Sequence, residues 1–402
     1  VRVLVFTSLF PNNVWPYQGV FVKERVAHLA RIPGVEVLVV APVPYYPPLP
    51  GWRGAYRRIA EREEIAGLRV DHPRYAMVPK VGSRWHGAFL YRALRPRVER
   101  LRREFPFDVI DAHYLYPDAY AAVRMGKDLG VPVVSSARGS DVNLIGRMPS
   151  LAPLVRKVFL GSKRLVAVSA ALAQAMRELG APDVAVIPNG VDASTFHPMD
   201  RARARRDLDL SEGPVLLSVG NLVPNKGMDR LLRALARASA EGASSDASQA
   251  TLLIVGRGPE ETRLRRLATD LGLGTRVRFA GVVPHESLAS WYAAADLFCL
   301  ATEREGWPNA VLESLACGTP VIATRVGGVP EILRSDRLGL MVEPGDEAFA
   351  IALTDALARV WDRAEIARFA AGHTWEVAAR AAHGVLESAL DAAPSREARV
   401  AS

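Results

Sequence analysis

The chain has 402 residues, a length at which one hydrophobic core usually gives way to two domains. With 49% hydrophobic and 23% charged residues it has the make-up of a folded globular protein, which excludes a disordered one. Its net charge is +8, and no apolar run reaches the roughly 18 residues that a membrane-spanning helix needs.

The first apolar run begins at Val1, so no signal peptide is expected. Cys299 and Cys317 stand in neither a CxxC nor a Cys/His ligand spacing, and read as reduced thiols of a cytoplasmic protein.

In chain order, VRVLVFT (1–7), VEVLVVAP (35–42), DVIDAH (108–113), VPVVSSA (131–137), LVAVS (165–169) and VAVIPNG (184–190) predict strands. They are too continuously apolar to be half exposed, which suits a parallel sheet covered on both faces. Between the first two, Val22, Val26 and Leu29 recur at helical spacing as a buried stripe. Residues 51–110 carry 14 Lys and Arg against 7 Asp and Glu, interleaved with Trp52, Tyr56, Trp85, Phe89 and Tyr91. Basic residues mixed with aromatics suit an anionic membrane surface, and equally an ordinary solvated face over a few core aromatics. No nucleic-acid motif accompanies the charge, so nucleic acid is not an expected partner.

The second half repeats the plan with PVLLSVG (214–220), TLLIVG (251–256), VRFAG (277–281), DLFCLAT (296–302), PVIAT (320–324) and GLMVEP (339–344). Strands alternating with helices predict an α/β fold of two facing, doubly wound Rossmann-like domains with a cleft between them. The expected division is a first domain over 1–196, a charged linker over 197–213 and a second domain over 214–365. A helical segment over 366–390 would pack back on the first domain, and 391–402 would be a frayed tail. The Ser/Ala-rich stretch 238–250 is expected to be a loop.

In such sheets ligands bind beyond the carboxyl ends of the strands, and the unusual residues fall there. Gly19 follows the first strand and precedes a helix, whose free N–H groups suit a diphosphate; a plain turn glycine explains it as well. Lys226 and Gly227 enter a helix after the strand 214–220, where a lysine can hold phosphate oxygens as a point charge. The spacing is not that of a Walker loop, and no strand end carries GxGxxG, which removes the main support for a dinucleotide oxidoreductase. His113 ends a strand at the expected ligand side, and Arg138 and Asp141 follow another as hydroxyl or anion contacts for an acceptor. In EGWPNAVLE, Glu305 precedes a helix that Pro308 can start, with free N–H groups expected at Asn309, Ala310 and Val311. Glu313 lies further along that helix, and an ionised carboxylate there can accept two sugar or ribose hydroxyls.

Taken together, EGWPNAVLE, VGNLVPNKG, VIPNGVD, LLIVGRGPE and ATRVGGVPEI resemble, in order and register, glycosyltransferase family 4, a large group of retaining transferases with two Rossmann domains. The resemblance covers about 1–390. It implies that Gly19 and Lys226 flank the diphosphate of a nucleotide-sugar donor, that Glu305, with amides after Trp307, meets the transferred sugar, and that Glu313 holds the ribose. It further implies that His113 is a catalytic histidine near the reacting sugar, and that Gly256, Gly258, Gly281 and Val282 line the nucleotide pocket. Many members carry arginine where this chain has Asn221, which can donate to a phosphate but brings no charge.

The implied reaction is metal-free transfer with retention, from a nucleotide-diphosphate sugar to a glycan or lipid-linked acceptor in cell-surface polysaccharide or glycolipid synthesis. No cofactor is expected, and the enzyme would work in the cytoplasm, peripheral to the inner membrane face. Asp207 and Asp209 form an Asp-x-Asp pair in the charged linker and read as solvated, not as metal ligands. A sugar-nucleotide epimerase or hydrolase on the same fold, and a non-catalytic sugar-nucleotide-binding subunit, are the alternatives.

Overall fold

A computed structural model describes residues 1–45, 52–76, 82–210, 212–240 and 245–391. The chain divides into two compact units, Val1–Asn189 with the C-terminal residues from Trp375, and Gly190–Thr374.

The amino-terminal unit holds strands β1 (Arg2–Phe6), β2 (Glu36–Val40), β3 (Val43–Tyr45), β4 (Arg62–Ile65), β5 (Leu68–Asp71), β6 (Arg74–Ala76), β7 (Val109–His113), β8 (Val133–Ala137), β9 (Arg164–Ala167) and β10 (Ala185–Val186). Eight of them form one sheet in the order β10-β9-β8-β7-β1-β2-β5-β4, parallel except for the β4–β5 pair. The helix Val20–Ala30 buries Val22, Val26 and Leu29. Against the same core lies the helix Trp375–Asp391, through Trp375, Ala378, Ala382 and Leu386. A buried leucine such as Leu386 contributes about 1.5–3 kcal/mol by leaving water, so this late helix is part of the core that forms the unit.

The carboxy-terminal unit holds β11 (Val215–Val219), β12 (Thr251–Val255), β13 (Val277–Gly281), β14 (Leu297–Leu300), β15 (Val321–Thr324) and β16 (Gly339–Val342). They form a parallel sheet in the order β13-β12-β11-β14-β15-β16. Each of the strands predicted from sequence is present in this sheet or the first.

Several expectations change. The β4–β5 hairpin lies inside the basic aromatic segment; its two-residue turn, Ala66-Gly67, has φ of 54° and 75°, the left-handed backbone of a tight hairpin, without the usual Asn-Gly signal. Residues 197–213 are not a solvated linker. Asp200 caps a helix, Arg201–Asp207, by accepting from the Arg203 N–H, and Ala204 packs on Ala293 and Ala294. Asp207 and Asp209 are exposed. Within 238–250, Ser245–Gln249 is helical with Ala247 buried, and Ala250 just after it is buried too. Of the segment 366–390, the helix Arg363–Ala370 stays with the carboxy-terminal unit and Trp375–Asp391 joins the amino-terminal one. Part of the 238–250 loop and the tail from 392 lie outside the described residues.

The aromatics of the basic segment divide. Tyr56 packs at a tilt against Trp15, ring centroids 4.4 Å apart, and Tyr91 lies under Arg124 with its hydroxyl donating to Asp128, so both are structural. Trp85 (56% exposed) and Phe89 (39%) face solvent one helical turn apart, between exposed Arg84 and Arg92. The side chain of Trp52 lies outside the described residues.

Candidate active site

The carboxy-terminal sheet is built outward in both directions from β11 and β14, so the crevice at their carboxyl ends is its topological switch point. Lys226 leaves the turn after β11 and Glu305 the loop after β14. Two bonds dock this loop on that turn: Thr302 Oγ1 and the Glu303 N–H both donate to the Asn225 carbonyl at 2.9 Å. Lys226 Nζ consequently lies 2.7 Å from Glu305 Oε2, with the two side chains 24% and 16% exposed.

Close backbone approach fixes the glycines around this pair. Gly227 has φ 64°, and a Cβ there would stand 2.0 Å from the Ala301 carbonyl oxygen. At Gly327, φ 51°, a Cβ would stand 1.9 Å from the carbonyl oxygen of Glu305 itself. Gly256 and Gly258 carry the turn after β12 against the turn after β11, where a side chain would come within 2.0–2.1 Å of the Gly220 and Leu222 carbonyls. Gly281, at φ 72°, accepts from the Gly256 N–H at 2.7 Å, and Val282 beyond it is 48% exposed. Asn221 is exposed on the same side.

The helix Asn309–Ala316 begins after Pro308 with no acidic residue in its first turn. Its amides are less open than the sequence suggests. The Asn309 N–H donates to the Trp307 carbonyl at 3.1 Å and the Val311 N–H to the Pro308 carbonyl at 3.0 Å, because proline closes the loop into a tight turn. Of the three, Ala310 is the one with no such backbone bond among the described residues. Val311 is fully buried, and Trp307 is 7% exposed with its indole nitrogen buried and unbonded among the described residues.

Glu313, one turn along, has both oxygens engaged. Tyr292 Oη donates to Oε2 at 2.9 Å and His285 Nε2 lies 3.0 Å from Oε1. Phe196 packs edge-on against both rings, at 5.1 Å from His285 and 6.0 Å from Tyr292. Burial, and then the Glu313 charge, push the Tyr292 hydroxyl well above its usual range, so it stays a donor. A carboxylate has about four acceptor positions, which leaves room for hydroxyls of a ligand.

In the amino-terminal unit the sheet reverses direction between β1 and β7. Gly19, φ 64°, caps the helix after β1, and a Cβ there would come within 2.3 Å of the Leu9 carbonyl. Phe21 in that helix lies 5.6 Å beneath the Arg138 guanidinium. His113, at the end of β7, is wholly buried, and this departs from the expected contact with a sugar. Arg138 donates to its Nδ1, which places the ring proton on Nε2, 3.2 Å from Asp111 Oδ2. Burial and the Arg138 charge hold His113 down to about 4 against the pull of Asp111, so the ring is neutral near pH 7. Asp111 remains ionised: burial would raise it, but His113, Arg25 and Arg138 hold it at about 2. Arg138 itself is partly exposed and also donates to Asn189 at 3.2 Å.

Asp141 likewise departs from the acceptor contact expected of it. It is fully buried and accepts from the Leu115, Arg138 and Gly139 amides at 2.9, 3.0 and 2.8 Å, so it clamps backbone. Asp118 plays a similar part for the loop after β1, taking both the N–H and the hydroxyl of Ser8 at 2.7 Å. Beside that loop a cavity of about 220 Å³ opens at the carboxyl ends of β1 and β2, between Ser8, Asn12, Gln18, Tyr56, His72 and His86.

Two family models match the chain, glycosyltransferase family 4 over residues 18–195 and glycosyl transferases group 1 over 200–371. A GDP-mannose-dependent alpha-(1-6)-phosphatidylinositol monomannoside mannosyltransferase of Mycobacterium tuberculosis (strain ATCC 25618 / H37Rv) is 30% identical over 397 residues, 94% of each chain. The chain belongs to glycosyltransferase family 4. A D-inositol 3-phosphate glycosyltransferase of Acidothermus cellulolyticus is 36% identical over 321 residues, 73% of this chain and 70% of that one. Among solved structures, sucrose-phosphate synthase from Thermosynechococcus elongatus superposes with a TM-score of 0.76 at 22% identity, covering 98% of this chain and 99% of the other. Anabaena Alr3699/HepE in complex with UDP and glucose gives 0.71 at 18%, covering 96% and 99%. These likenesses establish the two-Rossmann GT-B fold, and the activity of the chain is glycosyl transfer.

For this glycosyltransferase, sequence reasoning missed His285 and Tyr292 as partners of Glu313, and Gly327 as the seat of Glu305. His285 stands in the turn after β13, whereas His113 ends its own strand, so the strand-end rule widened to the following turn would have found it. Tyr292 carries no such mark, since it reads as one more apolar position of the helix Leu288–Ala294.

Proposed function

We propose that this glycosyltransferase moves a sugar, with retention of anomeric configuration and without a metal, from a nucleotide-diphosphate sugar to a glycan or lipid-linked acceptor. The observation that carries the proposal is the Lys226–Glu305 pair at the switch point of the carboxy-terminal sheet. A diphosphate leaving group gains negative charge as it departs, and an ammonium positioned beforehand stabilises that charge as it forms. Lys226 supplies it, next to Asn221 and the Gly256 and Gly258 turn that admits phosphate close to backbone. Glu305 is the carboxylate that meets the transferred sugar, and Glu313, fixed by Tyr292 and His285, takes the ribose hydroxyls. The acceptor hydroxyl attacks on the face that the leaving group vacates as the bond from the sugar to the diphosphate breaks, and its proton passes to the departing phosphate oxygen, so no enzyme nucleophile is needed. His113 acts as a positioning residue through Arg138, which it fixes by accepting its hydrogen bond. The 220 Å³ cavity beside Gln18 and His86 is the acceptor-side pocket.

The names of the relatives, one GDP-mannose-dependent on a phosphatidylinositol mannoside and one acting with inositol 3-phosphate, support a donor with a diphosphate and an acceptor that is polar or lipid-linked. No described helix is long and apolar enough to cross a membrane. The Trp85, Phe89, Arg84 and Arg92 surface supports peripheral contact with an anionic cytoplasmic membrane face.

Transfer followed by proton NMR in the presence of EDTA tests the proposal. Product with the donor's anomeric configuration, at the rate seen without EDTA, supports it; inversion, or a rate abolished by EDTA and restored by a divalent ion, refutes it. Co-sedimentation with vesicles of anionic lipid tests the membrane surface: Trp85→Ala/Phe89→Ala should release the protein, and unchanged binding would reject the assignment.

A further inference from the structure

The end of the carboxy-terminal sheet away from the Lys226 site carries a second, differently built pocket. It lies at the amino ends of β11 and β14, where Pro214 and Asp296 enter those strands, and encloses about 620 Å³. Its charged and polar lining is Arg201, Arg205, Arg359 and Arg363 with Asp296, Glu212 and Gln249, four cations against two carboxylates, and Trp361 forms one wall. We infer that this pocket binds a phosphate-bearing polyanion, of which diphosphate is the simplest occupant.

The argument is one of surplus charge. Asp296 is already satisfied: Arg201 bonds Oδ1, while Arg205 Nη2 at 2.5 Å and the Val215 N–H at 2.7 Å take Oδ2. Arg363 is held beside them by the Ala295 carbonyl at 2.6 Å. Two guanidiniums thus bond one carboxylate and a third stands beside it, although a clasp on Asp296 needs one. Their crowding is visible in Arg363, which burial and then the charge of Arg201 push down to about 10. Arg201 Nε is buried with no hydrogen-bond partner among the described residues. Arg359 stands exposed at the rim, 5.8 Å from the Trp361 ring, and makes none of the ion pairs formed among the described residues. Planar guanidinium forks match phosphate oxygens two at a time, so a bound diphosphate would offset the repulsion and take up the spare donors. It would also join the helix Arg201–Asp207 to the start of the helix Arg363–Ala370, stabilising the carboxy-terminal unit.

Isothermal titration of the full chain with sodium pyrophosphate, at constant ionic strength set with NaCl, tests the inference independently of the donor site. Wild type should bind two diphosphates, and Lys226→Ala one. Arg359→Glu, a change at an exposed position, should weaken the remaining site of Lys226→Ala by about tenfold or more, the scale of a lost charge-assisted bond. The same titration separates the two sites. If Lys226 does not hold diphosphate, Lys226→Ala will leave the stoichiometry unchanged while Arg359→Glu still removes one site, and this inference stands. Absence of binding to Lys226→Ala, or binding that Arg359→Glu leaves unaltered, would overturn it.

Discussion

Replacing Lys226 with alanine removes the ammonium 2.7 Å from Glu305 Oε2 and leaves that carboxylate facing the proposed diphosphate. If Lys226 stabilises the leaving group, its loss resembles the loss of one preorganised donor to a developing oxyanion, about 10²–10³ in kcat or about 2.7–4 kcal/mol. The cost to folding is smaller. With side chains 24% and 16% exposed the pair lies between surface and interior, and its loss should lower stability by about 1–2 kcal/mol, visible in urea denaturation. Steady-state transfer at saturating acceptor separates the two effects, because a folded but slow enzyme indicts the chemistry. Lys226→Arg keeps the charge but replaces a compact ammonium by a planar fork, and should recover part of the rate. A Lys226→Ala enzyme within about threefold of wild type in kcat and KM would refute the reasoning, since a lost oxyanion-type contact costs far more.

Tyr292→Phe deletes the donor to Glu313 Oε2 and should raise the donor KM more than it lowers kcat, with about 1–2 kcal/mol lost from stability; an unchanged KM would show that Glu313 needs no such support. Gly327→Ala places a Cβ 1.9 Å from the Glu305 carbonyl on a left-handed backbone, so kcat should fall more steeply than for Gly34→Ala, where a Cβ meets nothing within 4 Å; equal kinetics for the two would dismiss Gly327 as the seat of Glu305. His113 titrates near 6.5 when unfolded and at about 4 in the fold, so its contribution is fully present above pH 6.5 and is lost as pH falls towards 4. Asp118, raised to about 7 by burial, acts in the opposite sense across the whole of that window, so the measurement belongs in Asp118→Asn. There, stability from urea melts should drop by something on the order of 3 kcal/mol between pH 6.5 and 4, and a further His113→Gln change should flatten the slope; an unaltered slope would refute the buried neutral histidine.

The fold was legible in the sequence because buried parallel strands leave continuous apolar runs, and the runs ending at Phe6, His113, Val219 and Leu300 are where the sites stand. Lys226 and Glu305 were legible for the same reason: each follows such a run. What the chain does not display locally is which side chains meet across segments. His285, Tyr292 and Phe196 come from three stretches of the chain, and only the folded unit gathers them around Glu313. Burial was the other hidden quantity. His113 and Asp141 carry the residue types of a ligand site, yet Arg138 takes the His113 Nδ1 lone pair, burial closes off its Nε2 beside Asp111, and backbone amides engage both Asp141 oxygens. The short helix Arg201–Asp207 reads as a linker because five of its seven residues are charged, yet it is held by Ala204 on the core and by Arg201 and Arg205 on Asp296.

The central claim is that the carboxy-terminal unit holds a nucleotide-diphosphate sugar through Lys226 and Glu313. Isothermal titration with a panel of UDP- and GDP-linked sugars, without added metal, tests it most directly. The account predicts saturable one-to-one binding of one conjugate, at least about tenfold weaker in Lys226→Ala and in Glu313→Ala, the scale of a lost charge-assisted bond. Conjugate binding that both substitutions leave intact, or the absence of binding by any conjugate, would contradict it.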